Sequence, residues 1–159
     1  DLAAHISDFT HITVSVVNNM TAVAGSSWKY TDSYHSQTLV VYTYGAKKYG
    51  AGVSVNGKVL TGASGRSCNI GALASNEPDR KSLPFYTEQV AALAAVLDPD
   101  KFILYPNDPG CTFDMLCDSV CGSLGGEYAS RLILGRDLYD DCAHGLLRVF
   151  NHELKTNYV

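Results

Sequence analysis

The chain has 159 residues, is 46% hydrophobic but only 18% charged, and carries a net charge of −4. That balance excludes a disordered chain, which needs low hydrophobicity and high charge. It also argues against a sequence-specific nucleic-acid binder, which carries a basic stripe, because Lys47-Lys48 and Arg80-Lys81 are the only adjacent basic pairs. No apolar run approaches the roughly 20 residues that span a bilayer, and the length predicts one globular domain, residues 1–159, with a sizeable core.

In chain order, Leu2, Ile6 and Phe9 suit a short helix or ordered arm. Ile12, Val14 and Val16 then alternate with His11, Thr13 and Ser15, a period of two that predicts a strand with one buried face. Residues 18–37 are polar and turn-rich and read as a loop. Leu39 to Tyr44 reads as a second strand. Asn56-Gly57, between apolar segments 49–55 and 58–61, predicts a hairpin, because this dipeptide accepts positive φ at both central positions of a type I′ turn. Residues 62–81 show no periodic segment and read as a loop.

Ser82 and Pro84 mark a helix start, since a proline in the first turn loses no helical hydrogen bond. From Val90 to Leu97 no polar residue appears on any face, which predicts a fully buried helix. Phe102 to Tyr105 is a short apolar strand. Thr112 caps a helix whose stripe is Phe113, Leu116, Cys117, Val120, Cys121 and Leu124, and Gly125-Gly126 ends it. Tyr128 to Leu134 reads as a strand, and Asp137 as the cap of a last helix with Asp140 and Asp141 in its first turn, where negative charge is favoured. The expected fold is α+β: a mainly antiparallel sheet with an Asn-Gly hairpin, about three helices on one face, stabilised by disulfides.

The disulfides are inferred from five cysteines, Cys68, Cys111, Cys117, Cys121 and Cys142. Cys117 and Cys121 lie four apart on one helical face, poorly placed to bond each other, so each is expected to bridge to a neighbouring element. Cys142 is the natural partner of one, and Cys111 or Cys68 of the other. An odd cysteine left over in a secreted chain suggests a free thiol or an intermolecular link, and Cys68, in a glycine-rich loop, is the candidate. The spacing C-x5-C-x3-C lacks the tight pairs of a zinc site, and no C-x-x-C redox motif occurs. Asn19-Met20-Thr21 fits an N-glycosylation acceptor at Asn19. The cysteines and this tripeptide point to secretion, while a first residue that is not methionine means either that a leader was removed or that the chain is a fragment.

Hydrolase and nucleotide motifs are absent. Gly62-Ala63-Ser64-Gly65 lacks the second spacer of a G-x-S-x-G elbow, Asn151-His152-Glu153 is only a His-Glu pair, and no G-x-x-x-x-G-K-[ST] loop occurs. His144 beside Asp140 and Asp141 is the least arbitrary site for general acid-base chemistry. Trp28, Tyr42 and Tyr44 form a candidate binding face, since tyrosine combines apolar area with a polar tip. The expectation is a secreted, cysteine-bridged protein that binds a protein or glycan at a cell surface, in the manner of a toxin or effector, without cofactor or metal. The alternatives are a small secreted hydrolase with a His/carboxylate site and one subunit of a disulfide-linked assembly.

Overall fold

The computed structural model describes residues 2–14, 16–45, 49–63, 67, 68, 70 and 82–157, with side chains described as far as Val149. Most of the loop expected over 62–81 lies outside the described residues. The organising element is β1 (Thr38–Tyr44), whose burial is continuous from Leu39 to Tyr44. On one side it pairs antiparallel with β2 (Gly50–Val55), which turns through Asn56 (φ 50°) and Gly57 (φ 78°) into the two-residue β3 (Lys58–Val59). The Asn-Gly hairpin is therefore as expected.

On its other side β1 pairs parallel with β4 (Lys101–Pro106), and β4 with β5 (Leu132–Leu134). The sheet order is β3-β2-β1-β4-β5. The sheet is thus mixed, with two antiparallel and two parallel pairings, and not mainly antiparallel.

Five α-helices are present among the described residues, and four of them cover both faces of this sheet, not one. The physical reason was readable in β1 and β4. Both Leu39 and Val41 on one face, and both Val40 and Tyr42 on the other, are apolar, and a strand apolar on both faces must be covered on both. On the face of Val40, Tyr42, Tyr44, Phe102 and Leu104 lie α3 (Leu83–Leu97) and α4 (Phe113–Leu124), through Tyr86, Val90, Leu116 and Val120. On the face of Leu39, Val41, Ile103 and Tyr105 lies α2 (Asn19–Gly25), with α5 (Leu138–Asn157) packed along it.

The starts of three helices follow from their caps. The Ser82 hydroxyl accepts from Phe85 N at 3.4 Å, Thr112 from Met115 N at 3.3 Å, and the Asp137 carboxylate from Tyr139 N and Asp140 N at 2.9 and 3.0 Å. In α3 the apolar sequence is not buried all round: Val96 is 81% exposed, with Ala92 and Ala95 beside it, so alanine-rich composition made the helix look more interior than it is.

Three further expectations are corrected. Residues 12–14 and 16 form no strand; Ile12 and Val16 are both well exposed, because no neighbouring strand offers this segment a ladder. The segment follows α1 (Leu2–Thr10), itself without a buried residue. Residues 18–37 are not one loop. Asn18 caps α2 by accepting from Met20 N at 2.8 Å, and Met20 to Gly25 are all buried. Its small side chains concealed a core helix, and two 3₁₀ turns, Ser27–Tyr30 and Tyr34–Ser36, follow it. Finally, only Leu132–Leu134 of the segment 128–134 is a strand, and Gly126–Ser130 is a 3₁₀ turn.

Glycines set how closely α2 sits. A Cβ on Gly52 would overlap the Met20 carbonyl, and one on Gly145 of α5 would overlap the Ala22 carbonyl oxygen and stand 2.6 Å from its carbon. α2 is therefore wedged between sheet and α5 with no spare space on either side.

Candidate functional site

In open α/β sheets, ligands bind beyond the carboxyl ends of the parallel strands, where neighbouring strands send their connections in opposite directions. Here that place lies between β1, which continues into β2, and β4, which continues toward α4. β1 ends in Tyr44-Gly45 and β4 in Pro106-Asn107-Asp108. The two ends are stitched together: Asn107 N donates to Tyr44 O at 2.8 Å, and a Cβ on Gly45 would overlap the Asn107 carbonyl. The N-terminus of α2 comes to the same edge, with Met20 Cγ lying 3.0 Å from where a Cβ of Gly50 would be. Exposed Asn18, Asn19 and Asn107 and half-buried Asp108 thus lie at the same end of the sheet, where this topology places its ligand crevice.

Asp108 is held in place. Its Oδ2 accepts from the Tyr86 hydroxyl at 3.0 Å and its Oδ1 from Gly110 N at 2.9 Å. Burial, and after it the bond to Asp108, pushes the Tyr86 phenol well up, so Tyr86 remains a donor at neutral pH. A carboxylate offers about four acceptor positions, and two remain for a ligand hydroxyl. The crevice can accept hydroxyl protons at Asp108 and exchange hydrogen bonds in both senses at three amides, which suits a polyhydroxylated ligand.

Behind this edge, on the α2/α5 side, a buried carboxylate locks three elements. Asp141 is 2% exposed and accepts from Tyr30 OH at 2.5 Å, Tyr105 OH at 2.6 Å and Lys29 Nζ at 2.9 Å. Burial alone would raise its pKa, but the bonds from Tyr105, Tyr30 and Lys29 more than offset that and leave it below the ordinary carboxylate value. Tyr30 OH also accepts from Arg136 N at 2.9 Å. With both carboxylate oxygens engaged by three donors, this is a brace, not a free base.

The residues singled out from the sequence fall as follows. Tyr42 and Tyr44 are fully buried against α3 and α4, while Trp28 is partly exposed in the turn beside Lys29 on the opposite side of the sheet, so the three share no face. His144 and Asp140 do meet, at 3.3 Å, but both are open to solvent, and Asp141 points into the brace instead of toward His144. Asn19 is the exposed first residue of α2, and Thr21 of its tripeptide is buried.

All five cysteines are free thiols. The bridge expected between Cys142 and Cys117 or Cys121 is ruled out by layering: Cys142 packs on the Leu39 face and the other two on the Val40 face, with the sheet between them. Burial pushes the Cys117 thiol up to about 11 and raises those of Cys111 and Cys142, which makes them poor nucleophiles. Half-buried Cys68 has φ 58°, with its Sγ 3.4 Å from Ser67 Oγ. Among the described residues no three His, Cys, Asp or Glu side chains gather as a metal site, and no helix is long and apolar enough to cross a membrane.

No protein-family model matches the sequence, and no curated protein does. Solved structures do. The chain resembles a ROK hexokinase from Thermus thermophilus with a TM-score of 0.71 and 16% identity, over 98% of this chain and 70% of that one. It resembles a ROK family glucokinase from Streptomyces griseus, solved with glucose and AMPPNP, at 0.57 and 12%, over 91% and 70%. A glucokinase from Parabacteroides distasonis gives 0.55 and 11%, over 95% and 72%.

The fold is therefore ROK-kinase-like. Free thiols and a kinase-like fold together overturn the reading of a secreted, disulfide-bridged toxin or effector, and the secreted-hydrolase and bridged-subunit alternatives with it; nothing in the structure indicates secretion. The crevice residues escaped the sequence reading because Asn18-Asn19 and Asn107-Asp108 are distant in the chain and belong to no local motif. The clue available was the position of Asn107-Asp108 directly after an apolar strand.

Proposed function

We propose that this chain binds a hexose-type sugar in the crevice at the carboxyl ends of β1 and β4. The observation that carries the proposal is the likeness over 98% of the chain to a hexokinase, joined by two glucokinases of which one holds glucose. The amides of Asn18, Asn19 and Asn107 and the Asp108 carboxylate support it, because neutral sugars are recognised by hydroxyls that donate to carboxylates and exchange bonds with amides. In this reading Tyr86 and Gly110 orient Asp108, and Asp108 accepts a sugar hydroxyl.

The test is calorimetric titration with glucose, mannose and N-acetylated hexosamines, on the unaltered chain and on Asp108→Asn. Saturable binding of at least one sugar, weakened about tenfold or more by the substitution, is the expected result. No binding of any of them at millimolar concentration would refute the proposal. ADP release in the presence of the bound sugar, ATP and magnesium would extend it to phosphoryl transfer.

A further inference from the structure

A cavity of about 240 Å³ opens at the other end of the sheet, where β1 begins. It lies between the end of α2 (Gly25), the 3₁₀ residue Tyr34, the hairpin segment Gly57-Lys58-Val59 and the second half of α5, with Arg148 and Val149 on its wall. We propose that this cavity binds a small organic oxyanion, a carboxylate or phosphate carried on a largely apolar body. The inference is independent of the sugar reading, because the two sites lie at opposite ends of β1.

Arg148 carries the argument. Its guanidinium lies over the Tyr34 ring, 4.6 Å from the centroid, and makes no ion pair with any described residue. Stacking occupies one face of the planar group and leaves its N–H edge, the fork that grips carboxylate or phosphate through two parallel bonds. Tyr34 is 3% exposed and its hydroxyl has no partner, so the ring that holds the guanidinium is itself fixed by packing. The guanidinium is thus positioned before any ligand arrives, which lowers the ordering cost of binding.

Lys58, exposed on the hairpin and likewise without an ion pair among the described residues, adds a second positive charge at the rim. Among the described residues the end of α2 is the one feature that would repel an anion, and it is neutralised locally. Ser26 N and Oγ both donate to Val23 O, and Ser27 Oγ donates to Ala24 O. The remaining wall comes from Gly25, Val59 and Val149, with Thr61 as its one further polar side chain among the described residues, and is apolar enough to favour a hydrocarbon or aromatic body.

The experiment is calorimetric titration of the full chain with phenyl phosphate and benzoate, and with inorganic phosphate and glucose as controls. At least one organic anion is expected to bind ~10-fold or more tightly than inorganic phosphate, since the apolar wall adds burial that the bare ion lacks. Glucose should neither occupy the cavity nor compete. Arg148→Met should weaken that binding by ~10-fold or more.

Lys58→Gln, at an exposed position that cannot unfold the chain, should weaken binding ~2–3-fold and flatten its salt dependence. The benzoate and phenyl phosphate arms decide which head group is preferred. Neither anion binding more tightly than inorganic phosphate, or affinity unchanged in both variants, overturns the proposal.

Discussion

Glycine-to-alanine exchange in a helix is usually stabilising by up to about 1 kcal/mol, because alanine loses less backbone freedom. Two helical glycines here should respond with opposite signs. Gly122 in α4 is exposed, and an added Cβ would meet nothing within 4 Å. Gly122→Ala should therefore gain about 0.5–1 kcal/mol, or some 1–4 °C in Tm.

Gly145 in α5 is buried, and its Cβ would overlap the Ala22 carbonyl oxygen, stand 2.6 Å from the Ala22 carbonyl carbon and lie 3.2 Å from Ser26 N. Ordinary carbon contacts are 3.5–4.0 Å, so the helices must part by about 1 Å. α2 cannot yield toward the sheet, since Gly52 already admits the Met20 carbonyl at closest approach, and α5 must swing outward. Overpacking of this kind costs about 1–3 kcal/mol and often more against rigid backbone, which outweighs the propensity gain.

We expect Gly145→Ala to lose about 2 kcal/mol net, or roughly 4–8 °C. Urea unfolding of the two variants beside the unaltered chain measures both. A neutral or stabilised Gly145→Ala would show that the α2–α5 contact is looser than described and refute the wedge.

Three further outcomes are expected. Asp141→Asn should cost about 2–4 kcal/mol, because an amide cannot accept from Tyr30, Tyr105 and Lys29 together and leaves a buried donor facing a donor; thermal unfolding at pH 7 reads it. The Asp141 pKa is lowered in the fold, so its contribution is complete above the unfolded carboxyl value near 4 and is lost as pH falls through the still lower folded value. Asp141→Asn should accordingly show a shallower loss of stability below pH 4 than the unaltered chain. Tyr42→Phe should be neutral or stabilising by about 1 kcal/mol, since the Tyr42 hydroxyl is buried without a partner; a loss above ~1 kcal/mol would reveal a partner for it. Thiol titration of freshly unfolded, unreduced chain should count all five cysteines, with Cys111 the slowest to react in the native state because it is 2% exposed; fewer than five would mean a disulfide exists after all.

The readable parts of the sequence were those where a single residue type has a single local job. Asn56-Gly57 takes two positive φ values in succession, and Ser82, Thr112 and Asp137 each place a side-chain oxygen where helix-end N–H groups need one. What failed were inferences from pattern without a partner. Ile12, Val14 and Val16 alternate as a strand does, yet a ladder requires a second strand, which nothing local supplies. α2 is small-residued and capped by asparagine, so it resembled a loop, although Ala22 to Ala24 are wholly buried.

The cysteines misled for a related reason. Spacing along a helix says which face a thiol occupies but not which side of a sheet that helix will cover. The candidate site was the least legible feature, being made of asparagines and one aspartate that only the topology assembles.

The pairing of β1 with β4 has a consequence for how the chain reaches this state. One edge of β1 is satisfied within a few residues by β2, whereas the other waits for a strand about 60 residues later, as the Thr43–Tyr105 bond across 62 positions illustrates. Closing so long a loop is slow compared with forming a hairpin. During synthesis the hairpin therefore precedes α3 and β4 and presents an apolar, unpaired edge, Leu39 to Tyr44, that a second nascent chain could extend. Folding yield, more than final stability, should be what limits this protein at high concentration.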